Sequence, residues 1–286
     1  LGKTIQAIAL MLDAKQKSDE HLLNIVICPS SLTLNWENEI KKFAPELSSI
    51  IVTGIASARN ELIEQAQNYD VVVTSYSLLT RDIAKYEDMN FHFQFVDEAQ
   101  YIKNHSTQAS KAVKGLNSQI RYALTGTPVE NSLAELWSIF DFIMPDYLFN
   151  YTYFKKNFET PIVAKSDSKA VSTLQKIVSP FILRRLKKEV LSELPDKTES
   201  ILYAEMESEQ SKVYSANVAE IKMSLGKNFD SNTERIKILA MLTRLRQICC
   251  DPALVYENYK GSSAKLEQCI ELIDSCVNSG YKILLF

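Results

Sequence analysis

Short, strongly apolar runs alternate with longer amphipathic ones through the first half of the chain. Residues 23–28, 50–53, 71–74, 91–96 and 121–124 are too short for helices and rich in branched and aromatic side chains, which predicts strands. Between them, residues 32–43, 60–67 and 108–116 carry helical spacing, as do Ile5, Ala7, Ile8 and Leu12 near the start. Ser31, and Ser106 or Thr107, stand where N-caps belong. Strands that are apolar throughout must be covered on both faces. Their alternation with helices therefore predicts an α/β unit with a parallel sheet over residues 1 to about 145.

The pattern changes after Pro145. Aromatic residues crowd into Tyr147, Phe149, Tyr151, Tyr153 and Phe154, followed by Lys155-Lys156. Residues 171–178 and 181–191 read as helices, and 210–225 and 235–248 as two long ones. No repeat or low-complexity tract interrupts the chain.

Composition narrows the class. In 286 residues, 46% hydrophobic and 23% charged content is ordinary for a globular chain, and seven glycines with eight prolines argue against long linkers. No apolar run approaches the length of a membrane span. Five cysteines, an odd number, suggest a reducing compartment, and with His21, His92 and His105 scattered they show no zinc spacing; buried or half-buried thiols are expected. A net charge of −3 is awkward for a nucleic-acid binder but does not exclude one, because affinity follows local basic patches.

Candidate chemistry sits at strand ends. Asp97-Glu98 closes the run 91–96, where an α/β sheet places catalytic carboxylates. The first acid can hold Mg²⁺ and the second can orient or deprotonate a water; the pair can also merely cap the turn that follows. Gly2-Lys3-Thr4 matches the tail of a G-x-x-x-x-G-K-[ST] phosphate loop. A helix starting there would aim free N–H groups at an anion, with the Lys3 charge for the β/γ-phosphates and the Thr4 hydroxyl for Mg²⁺. The plain alternative is a helix start with a solvated lysine. Thr125-Gly126-Thr127-Pro128 follows the last strand, either sensing phosphate or simply turning into a helix with Thr127 as N-cap. Trp36, at a core-facing helical position, is expected to pack rather than to stack on a base.

Together these residues resemble the SNF2 family of superfamily 2 helicase-like ATPases, over almost the whole chain. Gly2-Lys3-Thr4 resembles motif I, the stretch from Val26 to Glu39 motif Ia, Val73-Thr74-Ser75-Tyr76-Ser77 motif Ib, Asp97-Glu98-Ala99-Gln100 motif II and Leu124-Thr125-Gly126-Thr127-Pro128 motif III. Pro180-Phe181-Ile182-Leu183-Arg184-Arg185 and Leu194-Pro195-Asp196-Lys197 resemble the stretch that separates SNF2 proteins from ordinary helicases. Gln100 stands where many members carry histidine.

The resemblance implies a RecA-like ATP-binding lobe at 1–145, SNF2-type helical protrusions and linker at 146–262, and the start of a second RecA-like lobe at 263–286, with Lys282-Ile283-Leu284-Leu285-Phe286 as its first strand. It implies ATP and Mg²⁺ held by Gly2, Lys3, Thr4 and Asp97, water activation by Glu98, and coupling through Gln100, Thr125, Gly126 and Thr127. It further implies nucleic-acid contacts at Ser30, Ser31, Ser75 and Tyr76, where hydroxyls and N–H groups follow strands. Arg184 and Arg185, in a cluster with Lys187 and Lys188, are read either as phosphate contacts or as a solvated face.

The expected activity is that of a double-stranded DNA translocase or remodeller. The rival readings are a strand-separating helicase and, for this piece, a nucleotide-binding module without turnover. A monomeric motor in the cytoplasm, associated with the nucleoid and of bacterial type, is expected, acting on a DNA-bound complex such as RNA polymerase. The missing start of the phosphate loop and the missing second-lobe arginine finger imply weak activity for the piece alone.

Overall fold

The computed structural model describes all residues except 1, 127–131, 186–192, 194–196 and 225–231. They group into two compact units, Leu1–Leu194 and Pro195–Phe286.

The first unit is built on a five-stranded sheet in the order β2-β3-β1-β4-β5, every pair parallel. The strands are β1 (Asn24–Cys28), β2 (Ser49–Ile51), β3 (Val71–Ser75), β4 (Asn90–Asp97) and β5 (Asn117–Leu124). β1 and β3 are buried at every position. Alternate side chains feed two cores. On one face Val26, Cys28, Val73, Phe93 and Phe95 meet Ala7, Ile8 and Met11 of α1 (Lys3–Lys17) and Trp36 and Ile40 of α2 (Thr33–Phe43). On the other, Ile25, Ile27, Val72 and Val96 meet Ile63 of α3 (Ala56–Gln65), Leu79 of α4 (Tyr76–Asp82) and Val113 of α5 (Gln108–Gly115). Each such side chain contributes about 1.5–3 kcal/mol on burial. Together they hold the strand ends in place, so the loops beyond can take up strained conformations.

Boundaries shift from expectation: α3 starts at Ala56 rather than residue 60 and β2 ends at Ile51, and two further shifts have a clear physical reason. β5 starts at Asn117, four residues before the apolar run, because its backbone pairs with β4 from Asn90 onward despite polar side chains. α2 is preceded by a single 3₁₀ turn, Ser30–Leu32, so Ser31 lies inside that turn and does not cap the helix. Thr107 does cap α5, accepting from the Ser110 N–H at 3.2 Å.

Beyond β5 the unit continues as helices packed on a third apolar cluster. α6 (Leu133–Ile143) supplies Leu136, Trp137 and Phe140. α7 (Tyr151–Phe154), a π-helical turn (Lys155–Glu159), α8 (Thr160–Lys165) and α9 (Ser168–Val178) add Phe154, Phe158, Leu174 and Val178. Of the aromatic run, Phe154 is buried, while Tyr147, Phe149 and Tyr153 stay exposed. The helix expected over 181–191 is not continuous. Ser179–Phe181 is a 3₁₀ turn, residues 182–185 are irregular, and the rest, with Lys187 and Lys188, lies outside the described residues.

In the second unit, α10 (Ser208–Ser224) and α11 (Asn232–Cys250) realise the two long helices, followed by α12 (Ala264–Asn278). The buried Gln210 ties them, donating to the Ile248 carbonyl at 2.9 Å and accepting from the Ala264 N–H at 3.3 Å. Residues 281–286 form no strand, since no ladder partner exists for them among the described residues. All five cysteines are free; Cys28 is buried, Cys250 exposed and the others half-buried. No helix among the described residues is long and apolar enough to cross a membrane.

Candidate active site

The register of the sheet assembles the site. Cys28 lies level with Ser75, Ile27 with Val96, and Asp97 with Leu124. The chain therefore leaves β1, β3, β4 and β5 at one carboxyl edge, the place where open parallel sheets bind ligands. α1 also begins there. Its N-cap, Gly2, is left-handed (φ 73°), a conformation that costs any residue with a Cβ, and it offers no side-chain cap to the N–H groups at the helix start.

Lys3 reaches from that helix start to the acids. Its Nζ lies 3.0 Å from Glu98 Oε1 and 3.8 Å from Asp97 Oδ1. Asp97 is buried, and each of its carboxylate oxygens has an N–H donor. Trp36 Nε1 donates to Oδ2 at 3.0 Å, and the Glu98 backbone N–H donates to Oδ1 at 2.9 Å. The Tyr76 hydroxyl donates to the Asp97 carbonyl at 2.5 Å. Immediately after, the backbone turns at Glu98 into the left-handed region, φ 50° and ψ 56°. That is uncommon for a residue with a side chain and costs about 1–3 kcal/mol, a kind of strain that clusters at functional sites. It turns the Glu98 carboxylate back toward Lys3.

Gln100 extends the cluster. Its Nε2 donates to Glu98 Oε2 at 2.7 Å and its Oε1 accepts from Thr125 Oγ1 at 3.1 Å. The resulting chain of contacts, Lys3–Glu98–Gln100–Thr125, crosses from α1 to the ends of β4 and β5. Burial pushes the Glu98 carboxyl up, but the Gln100 amide and the Lys3 ammonium outweigh it and leave it below the usual range. Glu98 is thus held as a carboxylate with one oxygen on an amide and the other on a lysine. The Cys28 thiol, under this cluster, is pushed up to about 12 by burial and by the Asp97 charge, which makes it an inert packing group.

Thr4 and Asp97 offer a hydroxyl and a carboxylate, the hard oxygen donors that Mg²⁺ takes alongside phosphate oxygens and waters. Among the described residues no group of three or more His, Cys, Asp or Glu forms a metal cage of protein alone. The donor set therefore suits a metal shared with a phosphate ligand.

The family model described as "SNF2-related domain" matches residues 1–254. The chain belongs to this SNF2-related family. A Mycoplasma pneumoniae protein named "Uncharacterized ATP-dependent helicase" is 36% identical over all of this chain and 27% of its own length. The Bacillus subtilis "Putative ATP-dependent helicase/translocase YwqA" is also 36% identical, over all of this chain and 32% of its own. The solved "Sulfolobus solfataricus SWI2/SNF2 ATPase core in complex with dsDNA" is 38% identical, with a TM-score of 0.62 over 98% of this chain and 59% of that one. The chain thus spans about a third or less of these curated relatives.

In this SNF2 chain the structure brings together Lys3, Asp97, Glu98, Gln100 and Thr125; Gly2 and Thr4 flank Lys3 at the start of α1, Gly126 is exposed just beyond Thr125, and Thr127 lies outside the described residues. Ser30 and Ser31 are exposed in the turn after β1. The side chains of Ser75 and Tyr76, expected to follow a strand into solvent, are only 2% and 6% exposed and are engaged within the protein. Ser75 caps α4 by accepting from the Leu78 N–H, and Tyr76 binds the Asp97 carbonyl. Arg184 and Arg185 are exposed in an irregular stretch, and Arg185 shares a shallow groove with Ala9, Leu10 and Asp13 of α1. Gln6, one turn along α1 from Lys3, lines the same groove.

Trp36 is the residue whose role the sequence reading missed. It packs as expected, but its indole also binds Asp97. The available signal was that a buried tryptophan N–H needs an acceptor.

Proposed function

We propose that this chain forms the nucleotide-binding part of an ATP-dependent motor of SNF2 type that hydrolyses ATP and moves along double-stranded DNA. The observation that carries the reading is the contact chain Lys3–Glu98–Gln100–Thr125 beside a buried, doubly bonded Asp97. Lys3 leaves Glu98 for the β/γ-phosphate oxygens when a triphosphate meets the start of α1. Glu98 is then freed on Oε1 while Gln100 keeps it ionised and oriented, so it can position and deprotonate the attacking water. Thr4 and Asp97 would hold Mg²⁺, which when bound would supply charge stabilisation to a transferring phosphoryl group. Gln100 passes the displacement of Glu98 to Thr125 and so to the stretch after β5.

The similar Sulfolobus protein was solved with double-stranded DNA, which supports duplex as the track. Ser30 and Ser31, with Arg184 and Arg185, are the proposed phosphate contacts. A cytoplasmic protein that acts on a DNA-bound complex such as RNA polymerase fits this reading. A strand-separating helicase is the second reading, favoured by the names of the bacterial relatives. ATP turnover of the intact protein with and without linear duplex, followed by strand displacement on a forked duplex, separates them. Duplex stimulation without displacement is expected; displacement would select the helicase, and no ATP turnover would reject both.

A further inference from the structure

Two aromatic side chains from different elements converge on Asp97, and nothing in the reaction as described needs both. Trp36 lies one turn into α2, directly after the exposed Ser30–Leu32 turn. Tyr76 is the first residue of α4, beside the exposed Ser77. Trp36 is 1% exposed and Tyr76 6%, so neither has room to change rotamer. Trp36 grips carboxylate Oδ2 at 3.0 Å, while Tyr76 grips the backbone carbonyl at 2.5 Å and comes within 3.4 Å of the Glu98 carbonyl. Tyr101 stacks on Tyr76 at 5.0 Å and 13°, which fixes the phenol plane.

We propose that Trp36 and Tyr76 are positioning residues that carry nucleic-acid occupancy of the turns after β1 and β3 to the Asp97-Glu98 pair. A strand of phosphates lying on Ser30, Ser31 and Ser77 would shift the first turns of α2 and α4. Both aromatic side chains are stiff, with two side-chain torsions each, and would pass that shift to Asp97 without loss. Trp36 sets the plane of the carboxylate offered to Mg²⁺, and Tyr76 sets the strained turn that aims Glu98. The two contacts thus act on different parts of the site. Coupling of this kind is reciprocal, so nucleotide with metal must tighten DNA binding by the same factor that DNA tightens nucleotide binding.

The inference rests on the SNF2 motor reading above, and the experiment separates the two. Trp36→Phe and Tyr76→Phe keep the packing and delete one donor each. Affinity of the intact protein for a non-hydrolysable ATP analogue is measured by calorimetric titration with Mg²⁺ and with EDTA, each with and without duplex DNA. In the wild type, DNA should tighten the Mg²⁺-loaded complex. In Trp36→Phe, affinity with Mg²⁺ should fall by about tenfold, the size of a hydrogen bond to a charged group. Affinity in EDTA should stay within a factor of about two of wild type, and the DNA-induced tightening should largely vanish. In Tyr76→Phe the tightening should also shrink, with the Mg²⁺ dependence kept. If Trp36→Phe does not fold, Tyr76→Phe decides alone. Wild-type coupling retained in the folded variants overturns the inference and leaves the motor reading standing. A wild type that binds no nucleotide overturns both.

Discussion

Replacing Gln100 tests the link between water activation and the rest of the motor. Gln100→Leu keeps the volume and removes both bonds, the donation to Glu98 at 2.7 Å and the acceptance from Thr125 at 3.1 Å. A hydrogen bond to a charged group is worth about 1.5–3 kcal/mol net. The Glu98 side chain is 31% exposed, so water replaces part of the loss and the low end applies, about 1.5 kcal/mol. If that orientation is fully expressed in the transition state, kcat falls by about tenfold. The same amide helps hold the Glu98 carboxyl below its usual range against burial, so the acid limb of the rate profile should move to higher pH.

Gln100→His sharpens the test. A neutral imidazole can donate to Glu98 and accept from Thr125, as the amide does, but an imidazolium has two donors and no acceptor. The DNA-stimulated rate of this variant should therefore drop as pH falls through about 6.5, an inflection that glutamine cannot produce. The assay is steady-state phosphate release by the intact protein with saturating duplex DNA across pH 5–9. Rates within about twofold of wild type for Gln100→Leu, and no new inflection for Gln100→His, would refute the role given to this side chain.

Lys3→Ala should weaken ATP binding by about 10–100-fold in a titration, because it deletes the charge that faces the β/γ-phosphates. Arg184→Ala with Arg185→Ala should lower DNA-stimulated turnover more than basal turnover and flatten the log–log salt dependence of DNA binding by roughly two. Asp82 on α4 is buried and paired with Arg59 on α3 at 2.5 Å. That bond, with help from Lys85 and against burial, lowers its pKa, so the stability it confers is present above the usual carboxylate range and is lost as pH falls. Asp82→Asn should lower the melting temperature at pH 7 and lessen its decline toward acid, read by calorimetry.

The sheet was legible because its strands are buried on both faces and so are apolar without interruption; 71–74 and 91–96 could be little else. The acids at the end of β4 were legible as candidates because a polar pair that closes an apolar strand stands out, and Lys3 lies beside them. The burial of Ser75 and Tyr76 was not legible, for the opposite reason. Hydroxyls at a strand end look alike whether they face solvent or, like the Tyr76 hydroxyl, turn back onto a neighbouring strand's carbonyl, and only the register of β1, β3 and β4 decides which. Trp36 shows the same limit. Periodicity reports that the ring is buried, while the partner of its N–H lies 61 residues away in sequence. Residues 281–286 carry a strand's composition, but a strand needs a neighbour, which composition does not report.

The central claim is that Glu98 activates water beside a phosphate clamp formed by Lys3, and Glu98→Gln in the intact protein tests it most directly. The substitution keeps the size of the side chain, removes the charge that acts on water, and releases Lys3 from its 3.0 Å partner. ATP affinity and single-turnover phosphate release are measured on the same preparation with duplex DNA present. The account predicts affinity equal to or tighter than wild type, with turnover lower by about 10²–10⁴-fold. Turnover close to wild type would contradict it.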